Sequence, residues 1–435
     1  MRRRILPFFL VSVLALGAAC QSDADPRTNA QPESPDQGSA ATSSDSDQPM
    51  SWGPTPSELS RAQEMVADWS PAQLAGQVIV GRYYGTSPEE AADLVSDLHL
   101  AGVSMGGDNI VDEAQVRATT AAVARAHASD GRDFPAVIGV DQEGGVVAHL
   151  DGVATTFPPF QEAGNAVAAE PKRGRTVVRN AAAATGMELR MMGFTWVFAP
   201  VADVTIGAAD PIIGSRSASE DPKTAAAAVG AAVPGYVSSG LVSTTKHFPG
   251  HGSATADSHE VLPVIHESLE TLRERDLLPF EAAVDAGAPA IMVGHLDVPA
   301  IAPGVPTSLA PEAYELLRDE LGFDGVAITD SMGMGAVNRP GTKPAVDALN
   351  AGADLVLMPA DTRSTHATVT EAIQSGEIPR ERIEEAAARV VALQLWQQRQ
   401  ADAVPLPAPA AVTAPIPMES VIATPSKPSS LRRRS

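Results

Sequence analysis

Val137-Ile138-Gly139-Val140 runs without a charge into Asp141-Gln142-Glu143-Gly144-Gly145. A short apolar run bounded by a Gly-rich polar turn suits a strand buried on both faces, because such a strand shows no polar alternation. The pattern recurs in both directions along the chain. Upstream lie residues 77–80 and 103–105, and downstream lie 195–199, 242–245, 290–293, 326–329 and 355–358. With the run at 137–140, that makes eight between about Trp52 and Gln398.

The intervening segments carry helix signals. Ser87-Pro88-Glu89-Glu90 joins an N-cap serine to a proline at the first helical position and a glutamate three residues after the cap. Ala91, Leu94, Val95 and Leu98 follow at helical spacing and Gly102 closes the segment. A second helix is expected from near Ser308, with Ala313, Leu316, Leu317 and Leu321 on one side and Gly322 as its stop. A third follows Pro379 and presents Ile383, Ala386, Ala387 and Val390. Eight buried strands alternating with helices imply an α/β fold, a (β/α)8 TIM-type barrel. An open doubly wound sheet competes, but no GxGxxG follows the first run.

In such a barrel, reactive groups sit where strands run out into their following loops. Five successive strand ends carry them here. Run three ends in Asp141-Gln142-Glu143; run four leads to Gly214-Ser215-Arg216-Ser217. Run five ends in Lys246-His247-Phe248-Pro249-Gly250-His251-Gly252, followed by Asp257-Ser258-His259. Run six ends in Gly294-His295, and run seven in Thr329-Asp330-Ser331. Each group also has a plainer role. Asp141 or Asp330 alone would more often cap a helix or satisfy loop amides. His295 is as readily a satisfied core histidine as a ligand, and Glu143 a structural partner of Lys246 or Arg216. His247, His251, His259 and His295 also raise a metal site, although Phe-Pro-Gly between His247 and His251 prevents a helical pairing.

The stretch Lys246-His-Phe-Pro-Gly-His-Gly-Ser-Ala-Thr-Ala-Asp-Ser-His259 with Leu262-Pro263 resembles the KHFPGHGDTxxDSHxxLP signature of family 3 glycoside hydrolases, specifically single-domain bacterial β-N-acetylglucosaminidases. Asp141-Gln-Glu-Gly-Gly145, the Arg216 segment ending Asp221-Pro222, Met292-Val-Gly-His295, Pro306-Thr-Ser308 and Gly322-Phe-Asp-Gly-Val-Ala-Ile-Thr-Asp330 match in the same order. The resemblance spans about residues 60–395 and implies the same barrel. It also implies removal of terminal N-acetylglucosamine from peptidoglycan fragments or related β-glycosides, without metal or organic cofactor.

Laid on these residues, the resemblance implies Asp330 as nucleophile, His259 as general acid/base and Asp257 as its partner. Asp141, Arg216, Lys246 and His247 would bind sugar hydroxyls, with His295 beside them. The residue types suit the task. Retaining hydrolysis needs one group to attack the anomeric carbon and another to protonate the leaving oxygen and then activate water. An imidazole can serve as both acid and base without extreme tuning, and Asp257 can fix the tautomer of His259. Two departures stand out. The family usually continues DQEGG with Arg-Val-x-Arg, where this chain has Val146-Val147-Ala148-His149, so His149 is the expected substitute for a substrate-binding arginine. Ser253-Ala254 replaces the Asp-Thr after GHG. Both bear on affinity and substrate range rather than on reaction type.

The 435 residues include 31 Lys+Arg and 53 Asp+Glu, a formal charge of −22 that argues against nucleic-acid binding. One cysteine forbids a disulfide framework or a thiolate metal cluster. Residues 1–19 begin Arg2-Arg3-Arg4 and continue apolar for the length of a signal-peptide core. Leu16-Gly17-Ala18-Ala19-Cys20 resembles a bacterial lipoprotein signal, with Gly17 where Leu is usual. The expected organisation is therefore a signal peptide at 1–19, then lipidated Cys20 and a disordered tether to 55. The barrel follows at 56–398 and a Pro/Ala-rich tail at 399–435, with no second sandwich domain. A secreted monomer, anchored to the membrane through that lipid alone and facing the cell wall, follows from this; a soluble secreted protein is the plainer alternative. Three other functions stay open. A phosphorylase is permitted, because a histidine acid/base does not repel phosphate. The others are a metal-dependent barrel hydrolase and a non-catalytic wall-binding lipoprotein.

Overall fold

The structure, a computed structural model, describes residues 47–338 and 341–407. The signal segment, Cys20, the tether up to residue 46 and the tail from residue 408, with Arg432, Arg433 and Arg434, lie outside the described residues. Eight parallel strands close a barrel: β1 (Ile79–Gly81), β2 (Gly102–Met105), β3 (Val137–Val140), β4 (Trp196–Val197), β5 (Val242–Phe248), β6 (Ala290–Val293), β7 (Val326–Ser331) and β8 (Leu355–Leu357). Closure is visible at Val80, which pairs with Leu357 on one side and Gly102 on the other. Every residue of β2, β3, β5 and β6 is buried, as continuous apolar runs require of strands covered by helices. In β7 only the last two residues, Asp330 and Ser331, emerge, at the end of the barrel where strands run into loops. The strand spacing leaves no room for a side chain at Gly102, whose Cβ would lie 1.7 Å from the Val137 carbonyl oxygen.

The helices begin where the sequence places them. Ser87 caps the helix Pro88–Asp97 by accepting the Glu90 N–H at 3.3 Å. Pro311–Glu315 continues into a π-helical turn, Leu316–Glu320, and Gly322 ends it at φ +65°. The last helix, Arg380–Ala403, buries Ile383, Ala386, Ala387 and Val390 against the barrel.

Several boundaries differ from expectation. Gln77 ends the helix Pro71–Gln77 rather than opening β1, and its Nε2 donates to Gln394 Oε1 at 2.6 Å. An apolar run cannot reveal that a buried helix end precedes the strand. Strand β5 continues through Lys246 and His247, while β4 keeps only two residues. A short hairpin, Gln142–Gly144 with Val147–Ala148, follows β3. Packing starts inside the expected tether, since Trp52 is buried, and it reaches past residue 398, where Arg399 makes two bonds to Glu58 at 2.7 and 3.0 Å. Among the described residues, no helix is long and apolar enough to cross a membrane.

At the opposite end of the barrel, just before β8, Asp354 is fully buried and accepts from Arg318 at 2.7 Å, Arg389 at 2.7 Å, Arg382 at 3.1 Å and the Ala327 N–H at 3.0 Å. This one carboxylate ties the loop before β8 to β7 and to the last helix. Removing it leaves three guanidinium groups around an empty centre. Asp354→Asn should cost about 3–5 kcal/mol, the range for breaking one partner of a buried ion pair. The denaturation midpoint reads this, and an unchanged midpoint would contradict it.

Candidate active site

The loops after the strands enclose a cavity of about 430 Å3 lined by residues from all eight strand ends, among them Asp141, Glu143, Arg216, Lys246, His247, His259 and Asp330. Its floor is a buried charge cluster. The Lys246 ammonium bridges Asp141 and Glu143, with 2.7 Å to Glu143 Oε1. Arg216 grips Glu143 with Nε and Nη2, both at 2.8 Å. Burial raises the Glu143 pKa, but Lys246 and Arg216 outweigh it and hold the group at about 2. The suggestion that Glu143 partners Lys246 or Arg216 thus holds for both. Lys246 keeps one donor, and Asp141 one oxygen, for a ligand.

His247 and His251 share an anchor. Asp203, fully buried after β4, accepts from His247 Nδ1 at 2.7 Å, from the His247 N–H at 3.2 Å and from the His251 N–H at 2.7 Å. Nδ1 of His247 is therefore the donor, and Nε2 lies toward Arg216, 3.5 Å from Nη2. The sequence reading passed from the run at 195–199 to Gly214 and missed Asp203. Its signal was available: an aspartate just beyond the fourth run, at the same kind of strand end as Asp141 and Asp330.

Asp330 stands half-buried at the end of β7, and the Ser331 N–H donates to its Oδ1 at 2.7 Å. Burial alone would raise its pKa. His247, His295, the Ser331 N–H and Lys246 together lower it to about 2. The group is ionised throughout the neutral range, as a nucleophile must be.

His295 is a correction. It was expected among the sugar binders, yet it is fully buried and both ring nitrogens are engaged, Nδ1 with Ser308 Oγ at 2.7 Å and Nε2 with the Ser331 carbonyl at 3.0 Å. It does not line the cavity. Nε2 must donate to that carbonyl, and burial pulls the imidazole pKa down; His295 braces the Asp330–Ser331 turn from behind.

His259 lies on the other wall, 67% exposed, with Nδ1 on Asp257 Oδ1 at 2.8 Å and its own N–H on the same oxygen at 2.9 Å. These bonds hold the Asp257 carboxyl below the usual range against the opposing effect of burial. The His259 loop rests on the loop after β7: Gly335 N–H donates to the His259 carbonyl at 2.9 Å and Ala336 N–H to that of Ser258 at 3.3 Å. A Cβ at Gly335 would stand 2.5 Å from the Glu260 carbonyl oxygen, so only glycine lets the two loops meet. His149 is exposed at the rim, on the cavity wall, and donates its N–H to the Asp141 carbonyl at 3.2 Å. Among the described residues, no three His, Cys, Asp or Glu side chains are arranged to hold a metal ion.

The model of the glycosyl hydrolase family 3 N-terminal domain matches residues 70–393. The chain is 38% identical over 262 residues to a β-hexosaminidase of Stenotrophomonas maltophilia (strain K279a), covering 60% of this chain and 76% of that one. It is 32% identical over 400 residues to β-hexosaminidase LpqI of Mycobacterium tuberculosis, covering 88% of this chain and 95% of that one. Among solved structures, a family 3 β-N-acetylglucosaminidase from Paenibacillus sp. shares 31% identity at a TM-score of 0.71, over 76% of this chain and 63% of that one.

A depressed carboxylate pKa stabilises the fold above the unfolded value and loses that contribution as the pH falls through the folded one. For Glu143 the window runs from about pH 4.3, the unfolded value, down to about 2. The stability gap between the native protein and Glu143→Gln should therefore be constant from pH 7 to 5 and shrink toward pH 2.5. Denaturant titrations across that range read it, and a gap that does not change with pH would contradict the assignment.

Proposed function

The chain belongs to glycoside hydrolase family 3, and on that premise we propose that it is a retaining exo-β-N-acetylglucosaminidase that removes terminal N-acetylglucosamine from peptidoglycan fragments. The observation that carries this reading is the sharing of one cavity by Asp330 and by His259, whose Nδ1 is held by Asp257. Asp330 attacks the anomeric carbon, and the bond to the leaving oxygen breaks as His259 delivers its proton there. His259, now neutral, takes a proton from water, and the resulting hydroxide displaces Asp330 with overall retention. Asp257 keeps the same ring nitrogen protonated throughout and stabilises the imidazolium. Asp141, Lys246, Arg216 and His247 orient the sugar, and the pairs among them remove the freedom they would otherwise lose on binding.

The cavity is floored by the buried Lys246, Glu143 and Arg216 cluster and walled by the loops that follow the strands, a shape that favours a chain end over an internal linkage. The sequence Leu16-Gly17-Ala18-Ala19-Cys20 supports acylation of Cys20 and a place on the outer membrane face, toward the wall. A monomer suffices, because every group named in the reaction comes from one chain.

Asp330→Asn should abolish turnover of a chromogenic β-N-acetylglucosaminide. His259→Ala should lose about 10²–10⁴-fold on a disaccharide, the usual contribution of general acid catalysis. It should lose far less on an aryl glycoside whose leaving group needs no proton. Equal losses on both substrates would make His259 structural, and active Asp330→Asn would remove the mechanism. Phosphate should leave the product as free sugar; sugar 1-phosphate as the main product would replace hydrolysis by phosphorolysis.

A further inference from the structure

The cations on the cavity floor spend most of their donors on the acids beside them. Arg216 spends Nε and Nη2 on Glu143, and Lys246 is shared between Asp141 and Glu143. A third cation lines the same cavity from its entrance: Arg82, directly after β1. Its position is tightly set. The Thr362 hydroxyl accepts the Arg82 N–H at 3.0 Å and donates to the Arg82 carbonyl at 2.9 Å. The guanidinium carbon lies 5.0 Å from the centre of the Tyr84 ring, whose hydroxyl donates to the Ala360 carbonyl at 3.2 Å. Asn109 ties the Tyr83–Gly85 loop to the loop after β2 through its amide, at 3.2 and 2.8 Å.

The guanidinium itself is not saturated. Its acidic neighbour, Asp108, stands 3.9 Å away, beyond hydrogen-bond reach, and both side chains are well exposed, at 39% and 57%. An ion pair of that kind contributes little and yields readily to a better-placed anion. A backbone-clamped arginine with open donors is suited to forked recognition of a carboxylate. On a chain of formal charge −22 a cation presented this way is a local reversal of the field that an anionic ligand meets. The wall beside it carries His149, whose Nδ1 would lie 3.6 Å from a Cβ at Gly107.

We propose that Arg82, stacked on Tyr84 at the entrance, recognises a carboxylate on the leaving sugar. The assignment rests on the exo-glycosidase reading: if the terminal hexosamine fills the closed floor beside Asp330, only the leaving residue reaches the entrance. The substrate class is a β-linked N-acetylglucosaminide whose leaving residue carries a free carboxylate. Asp108 competes for the same guanidinium and sets how strongly that acid is preferred. None of the residues that match the family signature supplies this contact, and the arginine that the family carries at position 149 is absent.

The test compares two disaccharides that differ only in whether the leaving sugar carries a free carboxylate or its primary amide. The readout is the ratio of their kcat/KM values for the wild type, Arg82→Gln and Asp108→Asn. The wild type should favour the acid about tenfold, in the range of one charge-assisted hydrogen bond, and the preference should fall as salt is raised. Arg82→Gln should bring the ratio to about one, and Asp108→Asn should raise it above the wild-type value. A wild type that cleaves both sugars equally well overturns the assignment to Arg82 alone, and so does a ratio that survives Arg82→Gln. Cleavage of neither sugar overturns the glycosidase reading and this assignment with it.

Discussion

The site depends on a cluster of charges largely withdrawn from water. Lys246, Glu143 and Arg216 are nearly excluded from solvent, and together with Asp141 they join the ends of β3 and β5 and the loop after β4. Taking such groups out of water costs several kcal/mol per ion, and only close pairing with filled hydrogen bonds offsets it. That condition fixes their positions. Each cation has two anionic contacts or a forked one, and the donors left over point the only way still open, into the cavity. Rigidity of the cavity floor is thus a by-product of the electrostatics needed to bury it at all.

The histidines divide along the same line of burial. His247 is locked by Asp203, and His295 is locked by Ser308 and the Ser331 carbonyl. His251 is buried with Nε2 on Ser258 Oγ at 3.1 Å, which braces the loop that carries His259. Only His259 of this group stands in the open, with a single carboxylate partner and a loop that leans on the segment after β7. A group that must both give and take a proton needs a ring nitrogen that substrate and water can reach. Exposure is therefore what distinguishes the acid/base candidate from the structural histidines.

The barrel was legible because burial on both faces removes polar alternation, and every one of the eight apolar runs overlaps a strand. The floor was legible because a Lys or Asp directly after such a run has few places to go except the cavity. What escaped was decided by packing. Gln77 reads as the start of a strand until its amide is seen to meet Gln394, some three hundred residues away. His295 follows its apolar run just as Asp330 does, and only the hydroxyl of Ser308 shows that it faces backward. Asp203 and Arg82 lie beyond signature stretches, and their roles follow from partners brought near by closure of the barrel. Local sequence carries no trace of such long-range pairings.

The central claim is that an ionised Asp330 becomes covalently joined to the sugar. A 5-fluoro N-acetylglucosaminyl fluoride, which slows release of the intermediate more than its formation, provides the direct measurement when the protein is digested and its peptides are weighed. The account predicts one sugar equivalent on the peptide that contains Asp330. An adduct on another peptide, or rapid turnover to the inverted anomer with no adduct, would contradict it.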